Sequence, residues 1–148
     1  MAIFQTATTS FKGELPQGIH NFGPASPDTF KIALYTSAAS IGAATSIYTT
    51  SGEVVGTGYT AGGNTLTVST SPTTGNNQDG VPTAFWSFSN TSWPGSTFTA
   101  RGALIYNLSE GNKSVAVLDF GADKTVNNDT FQIIFPTADA NSAIVRIS

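Results

Sequence analysis

Cysteine is absent from this 148-residue chain, and charged side chains are scarce. Without cysteine the chain has no disulfides, no thiolate metal ligands and no cysteine nucleophile. Its single histidine, His20, leaves at most one imidazole for a catalytic triad or a histidine-based metal site. Charged residues make up 10% of the chain, whereas an average soluble domain carries about 25%. We therefore expect a protein that is not an enzyme and holds no cofactor and no metal ion.

Basic residues are few and lie far apart in the sequence. Six Lys and Arg residues stand against nine Asp and Glu residues, which gives a net charge of −3. Nucleic-acid-binding domains usually show a basic stripe, so we expect no nucleic-acid partner. No apolar run approaches the ~20 residues of a membrane span, and no cationic stretch precedes an apolar segment as in a signal peptide. These features predict a cytosolic protein, or a component of a particle assembled in a cytosol, with no membrane partner.

Hydroxyl and amide side chains supply most of the polarity. Serine and threonine account for about a quarter of the chain, and ten asparagines accompany them. Ten Phe, four Tyr and two Trp residues, together with many aliphatic residues, provide material for a core. Disordered chains lack such residues and carry high net charge, so the low charge here does not indicate disorder. The length fits one domain with one core.

The first 29 residues differ from the rest. Apolar residues at spacings of three, four and four predict one face of a short helix: Phe4, Ala7, Phe11 and Leu15. Pro16 would end that helix, and residues 16–29 are a linker rich in proline and glycine. Weak helix formers make an isolated helix marginal here, so the segment needs a partner surface on its own domain or on another subunit. The sequence predicts an N-terminal arm over residues 1–29.

Alternation of apolar and polar residues predicts short β-strands after residue 29. About nine candidates are separated by Gly, Asn and Pro turns: residues 30–35, 45–50, 53–59, 64–69, 83–89, 97–108, 115–120, 130–135 and 143–147. Residues 71–82 contain many turn formers and no apolar periodicity, which predicts a long exposed loop. Residues 30–148 are therefore predicted to form a single antiparallel β-sandwich, jelly-roll or immunoglobulin-like, in an all-β protein with a short N-terminal helix or arm.

Short motifs with chemical meaning occur out of context. Asp119-Phe120-Gly121 matches the kinase magnesium motif, but the glycine-rich loop and catalytic loop of kinases are missing. Oxygen-bearing residues over 119–129 do not match a calcium-binding loop and indicate a turn between two strands. Trp86 and Trp93 fit either a stacking platform for sugar or, more commonly, the core. His20, in the linker, is expected at a surface or interface.

An ordered series of segments runs through nearly the whole chain: residues 11–15, 18–22, 30–40, 48–50, 53–54, 56–66, 100–107, 117–121 and 135–140 (FKGEL, GIHNF, FKIALYTSAAS, YTT, EV, GTGYTAGGNTL, ARGALIYN, VLDFG and FPTADA). Together these segments resemble a family of small tailed-bacteriophage virion structural proteins. The resemblance implies a component of the virion, assembled in the host cytoplasm, with no catalytic residues to carry over.

Among virion roles, we expect a capsid decoration or cement protein that binds the major capsid protein, stabilises the shell and forms a homotrimer. The alternatives are a tail- or fibre-associated protein and a host-glycan-binding adsorption module. In the decoration role, the N-terminal arm would lie across a neighbouring subunit. The candidate capsid or subunit contacts are Phe4, Phe11, Leu15, His20 and Phe22. The candidate aromatic surface for a glycan is Trp86 with Trp93.

Overall fold

Two antiparallel β-sheets packed against each other form the fold, as seen in a computed structural model that describes residues 2–148. The elements in chain order are β1 (Thr6–Ala7), α1 (Thr9–Glu14), a 3-10 helix (Leu15–Gln17), β2 (Phe30–Tyr35), β3 (Asn64–Leu66), β4 (Val68–Asn76), β5 (Pro82–Phe88), β6 (Thr91–Asn107), β7 (Lys113–Ile133) and β8 (Val145–Ile147). One sheet has the order β1-β7-β6-β2-β3 and the other β4-β5-β8. The prediction of an all-β, sandwich-like fold with a short N-terminal helix is confirmed.

The main core lies between the two sheets. Strand β2 pairs with β3 on one side and β6 on the other, and it alternates as its sequence predicts. Phe30, Ile32 and Leu34 point into the main core, where they join Trp86 and Phe88 of β5. Burial of each such side chain stabilises the fold by about 1.5–3 kcal/mol. This packing joins the two sheets.

The opposite face of the five-stranded sheet is also covered. Ala33 and Tyr35 of β2 point away from the main core into a second cluster, together with Ile41, Leu104 and Val117. The segment of residues 36–63 supplies part of this cover. The central strands of the large sheet are therefore buried on both faces, which requires more apolar residues than a sheet with one wet face.

Two predicted strands, residues 45–50 and 53–59, are wrong. These stretches form turns and irregular backbone, with isolated bridges from Ile47, Glu53 and Thr57 to neighbouring strands. The alternation in sequence does not match burial here, since Ile47 and Val55 are exposed whereas the adjacent Glu53 and Val54 are both buried. Alternation of residue types does not by itself make a strand, which also requires a paired neighbour.

The predicted loop over residues 71–82 is also wrong for most of its length. Strand β4 continues to Asn76 and pairs with β5, so the loop is confined to residues 77–81. Most β4 side chains are exposed or half-buried because β4 is an edge strand with little core contact. An edge strand without a buried face lacks the alternation by which strands are recognised.

Strands β6 and β7 form one long hairpin, 17 and 21 residues in length. The turn predicted over residues 119–129 lies within β7. Pairing continues past this stretch through a register shift, since Ala100 faces Lys124 but Gly102 faces Asp119. The extra residues of β7 form a bulge, which explains how turn-forming residues occur inside a strand.

The predicted N-terminal helix is shorter than its apolar spacing suggests. Residues 6 and 7 form strand β1, which pairs with Val117 and Ala116 of β7, so helix α1 begins at Thr9. Threonine favours strands over helices, and here an available strand edge decides the outcome. Pro16 lies inside the following 3-10 helix, and Gly18 ends it with a φ of 68°.

Candidate functional site

The predicted interface residues of the N-terminal arm divide into a buried group and one exposed residue. Phe11 is 1% exposed, Phe22 and His20 are also buried, and Leu15 packs partly buried against the main core. Phe4 is 67% exposed. The expectation that all five face a partner is therefore wrong for Phe11, His20 and Phe22, whose side chains lie inside the chain's own fold.

Aromatic packing explains this burial. The ring of Phe22 stacks on Phe30 with centroids 4.3 Å apart and lies 5.0 Å from the indole of Trp86. Phe11 meets Phe22 edge to face at 6.1 Å. The 18–22 segment thus fills one end of the main core. A large ring buries the most apolar surface where both of its faces are covered.

The two tryptophans are core residues as well. Trp86 and Trp93 are each 3% exposed. Trp93 lies 6.0 Å from Phe131 of β7 in an edge-to-face arrangement. The prediction of an exposed aromatic platform for a glycan at these positions is wrong, and the alternative reading of both as core is confirmed.

His20 lies at the centre of a buried hydrogen-bond chain. Its Nε2 is 2.7 Å from Oε2 of Glu14, and its Nδ1 is 3.1 Å from the side-chain nitrogen of Asn107. That same amide nitrogen donates to Asp28 Oδ2 at 2.8 Å. Since an amide nitrogen donates, Nδ1 accepts and the ring proton lies on Nε2, which donates to Glu14.

This chain fastens the N-terminal arm to the large sheet. Glu14 ends helix α1, His20 follows the 3-10 helix, and Asn107 ends β6. Lys113 of β7 adds an ion pair with Glu14 at 3.3 Å. Both ring nitrogens of His20 are engaged by the chain's own residues, so the arrangement holds the arm in place and leaves no free imidazole nitrogen for a reacting group.

A second polar cluster surrounds Glu53, a carboxylate that is 8% exposed. Its Oε1 accepts hydrogen bonds from the Tyr59 hydroxyl at 2.6 Å and the Gly62 backbone N–H at 2.7 Å. Its Oε2 accepts one from the Tyr48 hydroxyl at 2.6 Å. Charge-assisted bonds of this kind offset the cost of burying the carboxylate, and they tie parts of the covering segment to each other.

The tyrosines around Glu53 are difficult to ionise. Burial, followed by the hydrogen bond to Glu53, raises the pKa of Tyr59 and of Tyr48 well above the usual value. Burial, with the Glu53 charge second, raises the pKa of Tyr35 in the same direction and that of Tyr106 to about 12. Loss of a proton next to a buried carboxylate would place two negative charges together.

Sequence reasoning missed the Glu53 cluster. The available signal was a glutamate followed by two valines, with Tyr48 and Tyr59 at short separations on either side. Nothing local indicates that the three side chains converge, because their contact depends on turns at residues 51–52 and 61–63. The cluster joins residues within one segment and provides stability.

The most accessible candidate contact surface surrounds Phe4. A shallow pocket of about 390 Å³ is lined by Ala2, Phe4 and residues 40–45. The backbone here is well held, since Phe4 N–H donates to Ile41 O at 3.1 Å and Ile41 N–H donates to Ala2 O at 3.2 Å. Among residues 2–148 no charged side chain lines this pocket, so an apolar group can enter without stripping water from a side-chain ion.

Among residues 2–148, no group of three or more His, Asp or Glu side chains is arranged to hold a metal ion. Within the same range, no helix combines the length and the apolar character needed to cross a membrane.

The pocket around Phe4 is open to solvent, whereas the clusters around His20 and Glu53 are buried. A scan of protein-family models found no match to the chain, and searches of curated proteins and of solved structures found no significant similarity.

Proposed function

We propose that this chain is a tailed-bacteriophage virion structural protein that decorates the capsid, binds the major capsid protein and stabilises the assembled shell. The ordered segments that resemble that protein family support the proposal. The charge-poor composition supports it too, because a surface of hydroxyl and amide groups can pack against several neighbours with few ions to desolvate. In this role the protein carries out no catalysis.

The observation that carries the proposal is the exposed ring of Phe4 beside an uncharged pocket. A 67% exposed phenylalanine on a backbone fixed by hydrogen bonds to Ile41 is preorganised for contact with a partner. Aromatic anchors at the centre of an interface contribute much of its binding energy. Within the arm we therefore assign the capsid contact to Phe4, and we add residues 40–45, which line the same pocket.

Many copies on one shell would make weak individual contacts sufficient. Each copy that joins two capsid subunits raises the effective concentration of its second contact, so the shell is stabilised beyond the affinity of one site. We propose a homotrimer for the decorating unit, since a closed ring of copies multiplies the contacts in the same way.

The test is binding of the purified protein to assembled shells that lack decoration. Phe4→Ala is expected to weaken binding by about thirtyfold, the effect of losing an interface anchor worth about 2 kcal/mol. Val55→Ala is the matched control, because Val55 is almost fully exposed and lies outside the Phe4 pocket. Equal binding by Phe4→Ala and the wild type would rule out the Phe4 contact, and no binding by the wild type would rule out decoration.

Copy number separates the virion alternatives. Hundreds of copies over the shell fit decoration, whereas a few dozen copies or fewer at one vertex would assign the protein to the tail or its fibres. A glycan array that binds the wild type would instead favour an adsorption module. The burial of Trp86 and Trp93 removes the aromatic platform on which that last alternative depended.

A further inference from the structure

An open groove follows the seam where the edges of the two sheets meet. One wall is β1 with helix α1, and the other is β8. Two cavities of about 460 and 490 Å³ lie side by side along this seam. Both are lined by Ala7, Phe11, Val145, Arg146 and Ser148, so they form one continuous groove.

The strands on both walls are sheet edges. Strand β1 ends the five-stranded sheet, and β8 ends the three-stranded sheet. Each pairs on one side, β1 with β7 and β8 with β5, so the outer side of each faces the seam or solvent. The outer N–H and C=O groups of an edge strand are a template for another strand.

An apolar side chain in the groove lacks cover. Val145 and Ile147 lie two residues apart on β8 and therefore point to the same face. Val145 is buried in the main core, whereas Ile147 is 49% exposed and lines the groove. A strand placed along β8 would extend the core face over Ile147.

The charge of the groove indicates the chemistry of its occupant. Lys12 and Arg146 line it, and none of its lining residues within the described part of the chain is Asp or Glu. The chain as a whole carries a net charge of −3, so this is a basic site on an acidic protein. Carboxylates on an incoming segment would complement it.

We propose that the groove binds an extended acidic segment of another protein chain by strand addition to β8. The segment pairs its backbone with the outer edge of β8, covers Ile147 with apolar side chains on one face, and brings carboxylates to Lys12 and Arg146. This inference does not depend on the proposed function, since the groove and the Phe4 pocket share no lining residue.

The test uses a synthetic ten-residue peptide in which valine alternates with threonine and aspartate. Titration into the isotope-labelled full-length protein is expected to shift the backbone amide resonances of β8 and β1 and to slow hydrogen exchange in β8. A matched peptide with lysine in place of aspartate is expected to bind at least tenfold more weakly, and added salt should reduce the difference.

A pair of variants tests the location. Ile147→Glu removes the apolar contact and repels the acidic peptide, so binding should weaken at least tenfold. Ile134→Glu is the control, because Ile134 is exposed and lies outside the groove. Equal binding of the two peptides, shifts confined to other strands, or no shifts at millimolar peptide would overturn the proposal. So would self-association that Ile147→Glu abolishes in the absence of peptide binding, since that would assign the groove to a second copy.

Discussion

Replacement of Tyr59 by phenylalanine removes one hydroxyl group from the contact between β2 and its covering segment. That hydroxyl accepts a hydrogen bond from the Leu34 backbone N–H at 2.9 Å and donates one to Glu53 at 2.6 Å. The ring contacts with Trp93 and Phe98 do not involve the hydroxyl, so phenylalanine preserves them. The substitution therefore tests the two hydrogen bonds with little change in packing.

The expected loss of unfolding free energy follows from the two hydrogen-bond partners of the Tyr59 hydroxyl, the Leu34 N–H and Glu53. Leu34 is fully buried, and an unsatisfied buried N–H costs about 1–3 kcal/mol. A hydrogen bond to a charged group contributes about 1.5–3 kcal/mol, with the lower value appropriate to a half-buried hydroxyl that water can partly replace. We expect Tyr59→Phe to lower the free energy of unfolding by about 3 kcal/mol, or the melting temperature by roughly 6–12 °C.

Tyr48→Phe is the matched control. Its hydroxyl donates to the same carboxylate at 2.6 Å, whereas the Leu34 N–H donates to Tyr59, so Tyr48→Phe removes a Glu53 bond and leaves the Leu34 N–H satisfied. We expect a cost of about 1.5 kcal/mol for this variant. The difference between the variants then measures the cost of leaving the Leu34 N–H without a partner.

Urea unfolding at pH 7, followed by tryptophan fluorescence, measures both variants. An unchanged dependence of unfolding free energy on urea concentration would show that the same surface is exposed in each case. The reasoning is refuted if Tyr59→Phe costs less than Tyr48→Phe, or if the two agree within about 0.5 kcal/mol. Either result would mean that water satisfies the Leu34 N–H when the hydroxyl is gone.

Three further predictions concern alkaline pH, one tight turn and the N-terminal arm. Burial raises the pKa of all four tyrosines, that of Tyr106 to about 12, so the free energy of unfolding should fall above pH 10 by up to about 1.4 kcal/mol per pH unit for each tyrosine. A flat profile between pH 9 and pH 11 would contradict this. Gly63→Ala should prevent folding or cost more than about 3 kcal/mol, because a Cβ there would lie 1.8 Å from the Ile32 carbonyl oxygen. Gly80→Ala, also at positive φ but with no atom within 4 Å of its Cβ, should cost about 1 kcal/mol, and circular dichroism on heating compares the two. Phe11→Ala should cost about 3–5 kcal/mol in urea unfolding, whereas a cost below about 1 kcal/mol would mean that the arm is not part of the core.

The strands that sequence reasoning located well are those with at least one buried face and a regular neighbour. In β2, Phe30, Ile32 and Leu34 alternate with residues on the opposite face, and the strand has the predicted bounds. Strand β4 lacks such a face, so its sequence looks like a loop although its backbone is paired along most of its length. Local periodicity reports burial and is silent where burial is slight.

The candidate site was predicted in part. The apolar character of Phe4, Phe11 and Phe22 is plain from sequence, but the identity of their partner is not. Pairing of residues 6 and 7 with β7 brings Phe11 and the segment after it over the chain's own core. Phe4 precedes the paired residues, and its side chain stays exposed. Strand β7, more than a hundred residues away in the sequence, therefore determines which aromatic ring is exposed.

Composition and local patterns were sufficient for several properties of the chain. They determined the all-β class, the lack of cysteine chemistry, the low charge and the strand of Phe30 to Tyr35. Tertiary structure alone decided that His20 and both tryptophans are buried, that Glu53 gathers its tyrosines, and that the seam beside β8 stays open. The physical reason is that backbone preference and apolar spacing act over a few residues, whereas burial and hydrogen-bond partnership are set by strands far apart in sequence.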